Sequence, residues 1–316
     1  MVKGIVIKST GSWYEVKLED GTTIPCRIQG KFRLGTLKLT NPVAVGDSVM
    51  VHIEGEEDTV GTIREINPRK NYVLRQSPRK KHFVHLLAAN IDQALCIVSL
   101  HQPKIKFGFI FFFFKQKTAY DIPVIIVFNK SDLNQDSDKD YIQYLRTVYE
   151  NIGYQTLLTS SETGEGIENL RELLKNKLTL VSGQSGVGKS TLVNTLAPKL
   201  VIKTQEISDY SGKGQHTTTF AEIYTLPTGG DIIDTPGIKT LGFNYLEEKD
   251  VAHNFREFFK LSENCKYSNC MHLEEPNCAV KEAIEDGRIS SMRYENYTTI
   301  LKEIEDQNYW EIQKEF

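Results

Sequence analysis

Cysteine is scarce: five residues in a chain of 316, too few for a disulfide framework at this length. Long apolar runs are absent too. The longest, Phe107 to Phe114, falls far short of the roughly 18 residues needed to span a bilayer, so no membrane partner is expected. The N-terminal stretch lacks the basic, apolar and small-residue regions of a secretory signal, and the expected location is cytoplasmic. A strong excess of either charge is also missing, with a net charge of −3. Taken over the whole chain, that balance argues against a nucleic-acid partner.

The distribution of charge reverses this last conclusion. Residues 1–81 carry 14 Lys/Arg against 9 Asp/Glu, whereas residues 245–316 carry 9 against 16. A basic head beside an acidic tail is an asymmetry that points to nucleic acid at the N-terminal end. A hydrophobic content of 40% and a charged content of 25% describe a globular chain with material for packed cores. At 316 residues, two or three domains are expected.

Residues 1–72 read as short strands: Gly4–Lys8, Trp13–Leu18, Thr23–Arg27, Ser48–Ile53 and Val60–Ile66, rich in β-branched and aromatic residues with glycine turns between them. Five strands in this length suit a small barrel, either an OB-fold that binds oligonucleotides or an SH3-like barrel without that role. Arg27, Lys31, Arg33 and Lys38, with Phe32 among them, tilt the reading towards RNA. Residues 69–82, containing Arg69, Lys70, Arg75, Arg79, Lys80 and Lys81, read as a basic linker suited to a phosphate backbone or as a solubilising hinge.

From Ala94 the pattern changes to apolar strands (Ala94–Leu100, Val124–Phe128, Thr156–Thr159, Leu178–Val181, Asp231–Ile233) alternating with amphipathic helices. Tyr141, Leu145, Val148, Tyr149 and Ile152 fall at helical spacing in one of these, and Ile167, Leu170, Leu173 and Leu174 in the next. Such alternation implies a parallel sheet covered on both faces. The multidomain α/β chain then divides into a barrel over 1–72, a sheet domain over 73–244 and an acidic helical tail over 245–316.

The chemistry lies in the sheet domain. Gly183-Gln184-Ser185-Gly186-Val187-Gly188-Lys189-Ser190, after a strand and before a helix carrying Thr191, is a phosphate-binding loop. Its glycines let backbone N–H groups face phosphates, and the helix adds its positive end. Lys189 is expected on the β- and γ-phosphates and Ser190 on Mg²⁺. Asp234 closes a strand as the carboxylate that anchors Mg²⁺ does, and Gly237 can offer its N–H to a γ-phosphate. Asn129-Lys130-Ser131-Asp132 follows another strand end. A carboxylate at Asp132 can accept from guanine's ring N–H and exocyclic amine, a donor pair that adenine lacks. Ser160 belongs to a further loop, Thr159-Ser160-Ser161, placed to contact the base. In Gly212–Thr219 one of three threonines, Thr218 being the candidate, can complete the Mg²⁺ shell. Ile238 stands where many GTPases carry a glutamine that orients water, so slow intrinsic hydrolysis is expected, aided by His216 or by a partner. The base-reading residues precede the phosphate loop, which is the reverse of the usual order, so the GTPase is circularly permuted.

The three late cysteines point to metal rather than to disulfides. Cys265-x₄-Cys270-x-His272-x₅-Cys278 supplies the ligand set of a structural Cys₃His zinc site. Cys26 and Cys96 fall in predicted strands and read as core residues.

Barrel, permuted order and zinc cluster together resemble the RsgA (YjeQ/YloQ) family of circularly permuted GTPases, over nearly the whole chain. The resemblance implies an OB-fold, GTP hydrolysis stimulated by the small ribosomal subunit, and a role late in its maturation. It therefore implies GTP and GDP, the small subunit and its rRNA as partners, one zinc per chain, and Mg²⁺ with GTP. A monomer is expected. Phe107 to Lys117 departs from the family pattern of an amphipathic helix, because four consecutive phenylalanines cannot all face a core in a helix or a strand. Either an apolar patch is exposed there or the sequence is locally in error. The competing functions are a metabolic phosphate-loop kinase and an RNA-binding adaptor that holds GTP structurally.

Overall fold

The structure, a computed structural model, describes residues 1–29, 41–54, 60–76, 84–105, 122–198, 221–234 and 248–312. The expectations for Lys31, Arg33, Lys38, Arg79, Lys80, Lys81, His216, Thr218 and Gly237, and for the phenylalanine run, lie outside these residues.

Strands β1 (Val2–Ser9), β2 (Tyr14–Leu18), β3 (Thr23–Ile28), β4 (Ser48–Glu54) and β5 (Val60–Ile66) make the N-terminal barrel. They pair in the order β1-β2-β3-β5-β4, and β4 closes on β1. The β3–β5 pair is parallel, Cys26 lying opposite Gly61, and the others are antiparallel. This closed order is that of the OB-fold and sets the SH3-like alternative aside. Alternation explains the closure: Val6, Val16, Cys26, Val49, Val51 and Ile63 are wholly buried while their strand neighbours face out. A Cβ at Gly61 would come within 2.5 Å of Val51 Cγ1 and 2.7 Å of Cys26 Sγ, so glycine is required where the barrel is tightest.

Within residues 69–82, read as a linker, residues 72–76 form a strand. Tyr72–Gln76 (β6) and Val84–Ala89 (β7) pair as an antiparallel hairpin. Just before it, Arg69 is a structural residue. Its Nε donates to Asp47 Oδ1 at 2.6 Å, and its Nη2 donates to Asp47 Oδ2 and to the Pro42 carbonyl, both at 2.7 Å. Asp47 is fully buried, so its charge is met by this paired guanidinium rather than by water. Beyond the hairpin, Asn90 Nδ2 donates to the Gly46 carbonyl at 2.9 Å, pinning the same barrel loop.

The larger sheet continues with β8 (Gln93–Val98), β9 (Val124–Phe128), β10 (Gln155–Leu158), β11 (Leu178–Gly183), β12 (Glu222–Thr225) and β13 (Asp231–Asp234). Its order is β10-β9-β8-β11-β13-β12. The pairings β9–β8, β8–β11 and β11–β13 are parallel, and β12 pairs antiparallel with β13. Every residue of β8 and β9 is buried, as strands covered on both faces require. Helices α2 (Ile167–Leu174) and α3 (Lys189–Leu196) contribute Ile167, Leu170, Leu174, Leu192, Val193 and Leu196 to that core. Strand β1 reaches past the barrel to pair Lys8 with Glu222 of β12, so barrel and sheet share one hydrogen-bonded ladder.

Contacts divide the chain into two units, the second comprising residues 105–115, 135–155 and 240–316. Within it α1 (Lys139–Asn151) packs with the C-terminal helices α4 (Glu248–Asn254), α5 (Arg256–Ser262), α6 (Ala279–Glu285) and α7 (Ser291–Ile312). Arg256 Nη1 donates to the Gly153 carbonyl at 2.9 Å and its guanidinium lies 4.0 Å over the Tyr154 ring. Buried Arg293 pairs with Glu257 at 2.6 Å and stacks on Phe255 at 4.4 Å. The buried face of α1 is Ile142, Leu145, Val148 and Tyr149. Tyr141, expected on that face, is 42% exposed because Ile142 takes the inward position of the first turn.

Candidate nucleotide site and candidate metal centre

Residues of the phosphate loop and of the base-reading turn converge at the carboxyl ends of parallel strands, where ligands of open α/β sheets bind. Gly183 ends β11, and a Cβ there would lie 2.5 Å from the Ile97 carbonyl oxygen. Gln184 and Ser185 lead into the turn; Gly186 and Gly188 have φ of 86° and 89°, the left-handed region open to glycine. Gly188 caps α3, whose first residues are Lys189, Ser190 and Thr191. Lys189 Nζ folds back on the loop and donates to the carbonyls of Gly183 at 2.6 Å and Gln184 at 2.9 Å. The loop's cation is therefore held over the turn that its amides line.

One strand separates β11 from β9, so the base-reading turn stands roughly 10 Å from the phosphate loop across the sheet. Asn129 bridges the two. Its Nδ2 donates to the Val187 carbonyl at 2.8 Å, and its Oδ1 accepts from Thr159 Oγ1 at 2.9 Å. Lys130 takes the left-handed conformation, with φ 63° and ψ 42°, and its Nζ reaches the Gln102 carbonyl at 2.9 Å. Ser131 and Asp132 open a 3₁₀ turn. Ser131 Oγ donates to Glu165 Oε2 at 2.5 Å, while Asp132 Oδ1 accepts from Ser160 Oγ at 2.5 Å. Ser160 is itself buried and accepts from the backbone N–H of Glu162 and of Thr163, each at 3.1 Å. The carboxylate of Asp132 is thus aimed by a hydroxyl that a tight loop fixes, an arrangement able to present an acceptor to two neighbouring N–H donors.

Asp234 closes β13 directly beside β11, with Val181 opposite it in register. The expected Mg²⁺ carboxylate and the phosphate loop therefore belong to adjacent strands. Two participants were not anticipated from sequence: Glu165, and the Gln102–Pro103 segment that meets Lys130 and lies near Gly186. Neither has a motif of its own. Each becomes visible only when the sheet brings loops distant in sequence together.

In the second unit the side chains of Cys265, Cys270, His272 and Cys278 place their ligand atoms within 4.8 Å of one another. Cys265 Sγ lies 3.9 Å from Cys278 Sγ and 3.7 Å from His272 Nδ1, and His272 Nδ1 lies 3.3 Å from Cys278 Sγ. A tetrahedron with Zn–S near 2.3 Å and Zn–N near 2.0 Å has S···S edges of about 3.8 Å and S···N edges of about 3.5 Å, so these residues fit a zinc ion. Burial lowers the His272 pKa, which favours the neutral, ligating imidazole, and pushes the Cys270 thiol up to about 12. The loop is shaped by Glu275, whose carboxylate accepts the backbone N–H of Met271 at 2.6 Å and of Leu273 at 2.8 Å. Burial alone would raise the Glu275 pKa; those N–H donors hold it below the usual carboxylate range. Phe258 and Tyr297 pack against the His272 ring, Tyr294 packs against both of them, and together they join this cluster to the unit's core.

A phosphate loop on the central strand, an Asn-Lys-Ser-Asp turn two strands away, and the turn coming first along the chain define a circularly permuted GTP-binding protein. Comparison with known proteins agrees. The family model RsgA GTPase matches residues 66–244, and the RsgA N-terminal domain matches residues 3–63. The small ribosomal subunit biogenesis GTPase RsgA of Bacteroides fragilis is 48% identical over 98% of this chain and 99% of its own length. That of Flavobacterium psychrophilum is 48% identical over 97% and 94%. Among solved structures, YjeQ from Thermotoga maritima has a TM-score of 0.76 at 34% identity, covering 96% of this chain and 98% of its own. YloQ, described as a circularly permuted GTPase, has a TM-score of 0.72 at 31% identity, covering 97% and 96%. The chain belongs to the RsgA GTPase family, whose members are hydrolases acting on GTP.

Proposed function

We propose that this chain hydrolyses GTP on the small ribosomal subunit, in the cytoplasm and during biogenesis of the subunit. The ribosomal part of the reading rests on relatives that bear that name and align with the chain from end to end. One observation carries the nucleotide part: Asn129 ties the base-reading turn to the phosphate loop through Val187, so that a base and its phosphates are gripped by one buried unit.

In this reading Asn129 and Asp132 select guanine, with Lys130 along the base and Ser131 and Ser160 holding the turn. Gly183, Gln184, Ser185, Gly186, Val187, Gly188 and Thr191 cradle the phosphates, and Lys189 exchanges its carbonyl partners for phosphate oxygens. Ser190, Asp234 and Thr218 would hold Mg²⁺, which supplies charge neutralisation at the phosphates. Gly237 meets the γ-phosphate, and His216 assists water because Ile238 lacks a polar atom to orient it. Cys265, Cys270, His272 and Cys278 hold one structural zinc. Arg27, Lys31, Arg33, Lys38, Arg79, Lys80 and Lys81 face rRNA, and the protein acts as a monomer. The test is multiple-turnover hydrolysis with and without purified small subunits. A low basal rate raised by the subunit is expected; a fast basal rate that subunits leave unchanged would overturn the ribosomal part.

A further inference from the structure

The base-reading turn and the loop after β10 are laced together at more points than the bond from Ser160 to Asp132. The Ser131 N–H donates to the Thr159 carbonyl at 3.1 Å, and Thr159 Oγ1 donates to Asn129 Oδ1 at 2.9 Å. These two bonds fasten the loop where it leaves the strand. Its return is fastened by Glu165. The Ser160 N–H donates to the Glu165 carbonyl at 3.0 Å, and the Glu165 carboxylate accepts from Ser131 Oγ at 2.5 Å. The next residue sets the backbone at this point. Gly166 has a φ of 67°, and a Cβ there would stand 2.0 Å from the Leu158 carbonyl oxygen. The chain therefore passes so close to the end of β10 that Glu165 has a fixed starting point, and its side chain, though exposed, ends on Ser131.

The Ser160 hydroxyl shows what this return strap controls. It accepts from the N–H groups of Glu162 and Thr163, so both its lone pairs are taken and its one hydrogen goes to Asp132 Oδ1. The direction of that hydrogen follows residues 162 and 163, which lie on the far side of the loop. The bond from Ser131 to Glu165 ties that far side to the turn carrying Asp132. Without it the loop can draw away from the turn. The Ser160 hydroxyl then turns with the loop, and the carboxylate loses its aim at two neighbouring donors. A hydrogen bond of 2.5 Å from a hydroxyl to a carboxylate is at the short, strong end of its class. On an exposed residue it adds little to global stability, so its effect is local. We propose that Glu165 is a positioning residue for guanine selection: by holding Ser131 it keeps Ser160 and Asp132 in register, and so sets how well the exocyclic amine of the base is read. The proposal rests on the reading of Asp132 as the guanine selector and deepens it.

The measurement is the affinity of the full-length protein for GDP and for inosine diphosphate, whose base lacks the exocyclic amine, each in competition with a fluorescent GDP analogue. The parent should prefer GDP roughly 10- to 150-fold, the worth of one hydrogen bond to a charged group. Glu165→Ala should shrink that preference by about threefold to tenfold, by weakening GDP more than inosine diphosphate. Nucleotide-free Glu165→Ala should still melt within about 3 °C of the parent. Ser131→Ala should shrink the preference equally, and the double variant should be no worse than either single, because both remove the same bond. Glu165→Gln keeps an acceptor oxygen for Ser131 and should retain most of the preference. A Glu165→Ala preference within about twofold of the parent's overturns the proposal. Equal weakening of the two nucleotides, the mark of a purely structural role, overturns it too, as do additive losses in the double variant. Should Glu165→Ala fail to fold, Ser131→Ala decides on the same ratio. A parent that binds both nucleotides equally removes the Asp132 reading and this proposal with it. A parent that prefers GDP, beside a Glu165→Ala that keeps the full preference, removes this proposal alone.

Discussion

Removing the Asn129 side chain tests whether base and phosphates are gripped as one unit. Only 3% of the residue is exposed, and it makes two hydrogen bonds, to the Val187 carbonyl at 2.8 Å and from Thr159 Oγ1 at 2.9 Å. Asn129→Ala leaves that carbonyl and that hydroxyl without these bonds, each at a cost of about 1–3 kcal/mol when buried. Both groups border the nucleotide cleft, so water can relieve part of the loss, and about 2–4 kcal/mol is a reasonable total. At about 1.4 kcal/mol per decade this is a fall in nucleotide affinity of roughly 30- to 1000-fold if it is borne by the bound state. Gly188→Ala attacks the same tie from the other side. Its Cβ would stand 2.7 Å from Asn129 Nδ2, at a backbone φ of 89° that alanine resists. Titration with a fluorescent GDP analogue measures the affinity, and thermal unfolding of nucleotide-free protein measures what is lost from the fold. Affinity within about threefold of the parent, at an unchanged melting temperature, would refute the tie as the organiser of the site.

Three further outcomes are expected. Asp132→Asn should weaken GTP and improve xanthosine triphosphate, because the amide offers a donor to xanthine's second oxygen while its carbonyl can still accept from Ser160; retained GTP preference in competition binding would show that Asp132 does not read the base. Stripping zinc with a chelator should lower the unfolding temperature of the C-terminal unit and leave GDP affinity nearly unchanged, because Cys278 and the rings around His272 belong to that unit's core; metal analysis finding well under one zinc per reconstituted chain would exclude the site. Lys8 and Glu222 lie 3.3 Å apart with side chains about a third exposed, so a double-mutant cycle on Lys8→Met and Glu222→Gln should show a coupling of only about 0.2–1 kcal/mol; a value above about 2 kcal/mol would mean that the barrel–sheet pairing depends on this ion pair.

How legible each part was depends on how local its cause is. The barrel strands could be read within a residue or two because alternation and glycine turns act over a few residues, and Gly21 and Gly46 adopt the positive φ that such turns need. The phosphate loop and the cysteine–histidine set were legible for the same reason, since chemistry and spacing sit in one short segment. Strands β6 and β7 were hidden because Pro68, Pro78 and a run of basic residues look like a linker, whereas the hairpin is held by Arg69, Asn71 and Asn90 reaching other segments. Strand β12 has only four residues, too short for any periodicity to register. The partnership of α1 with the C-terminal helices depends on Arg256 and Arg293, over a hundred residues away in sequence, and no pattern within α1 announces it.

Permutation leaves the chemistry intact because a parallel sheet delivers its loops to one edge whatever order the strands follow in the chain. What permutation changes is the place where the rest of the protein attaches. Chain order brings the barrel in through the β6–β7 hairpin to β8, a strand inside the sheet and next to the phosphate-loop strand β11. Strand pairing attaches the barrel a second time, at the opposite side of β11, where β1 meets β12. That second attachment lies in a single row: Lys8 is paired with Glu222, Glu222 with Asp234, and Asp234 with Val181 at the approach to the phosphate loop. The barrel is therefore anchored on both flanks of the strand that carries the phosphates, by covalent connection on one and by a hydrogen-bonded ladder on the other. A barrel hung from a terminal strand by a single linker could drift while the nucleotide site kept its shape. The buried Asp47–Arg69 pair adds a further tie, joining the loop before β4 to the segment that leads into the hairpin.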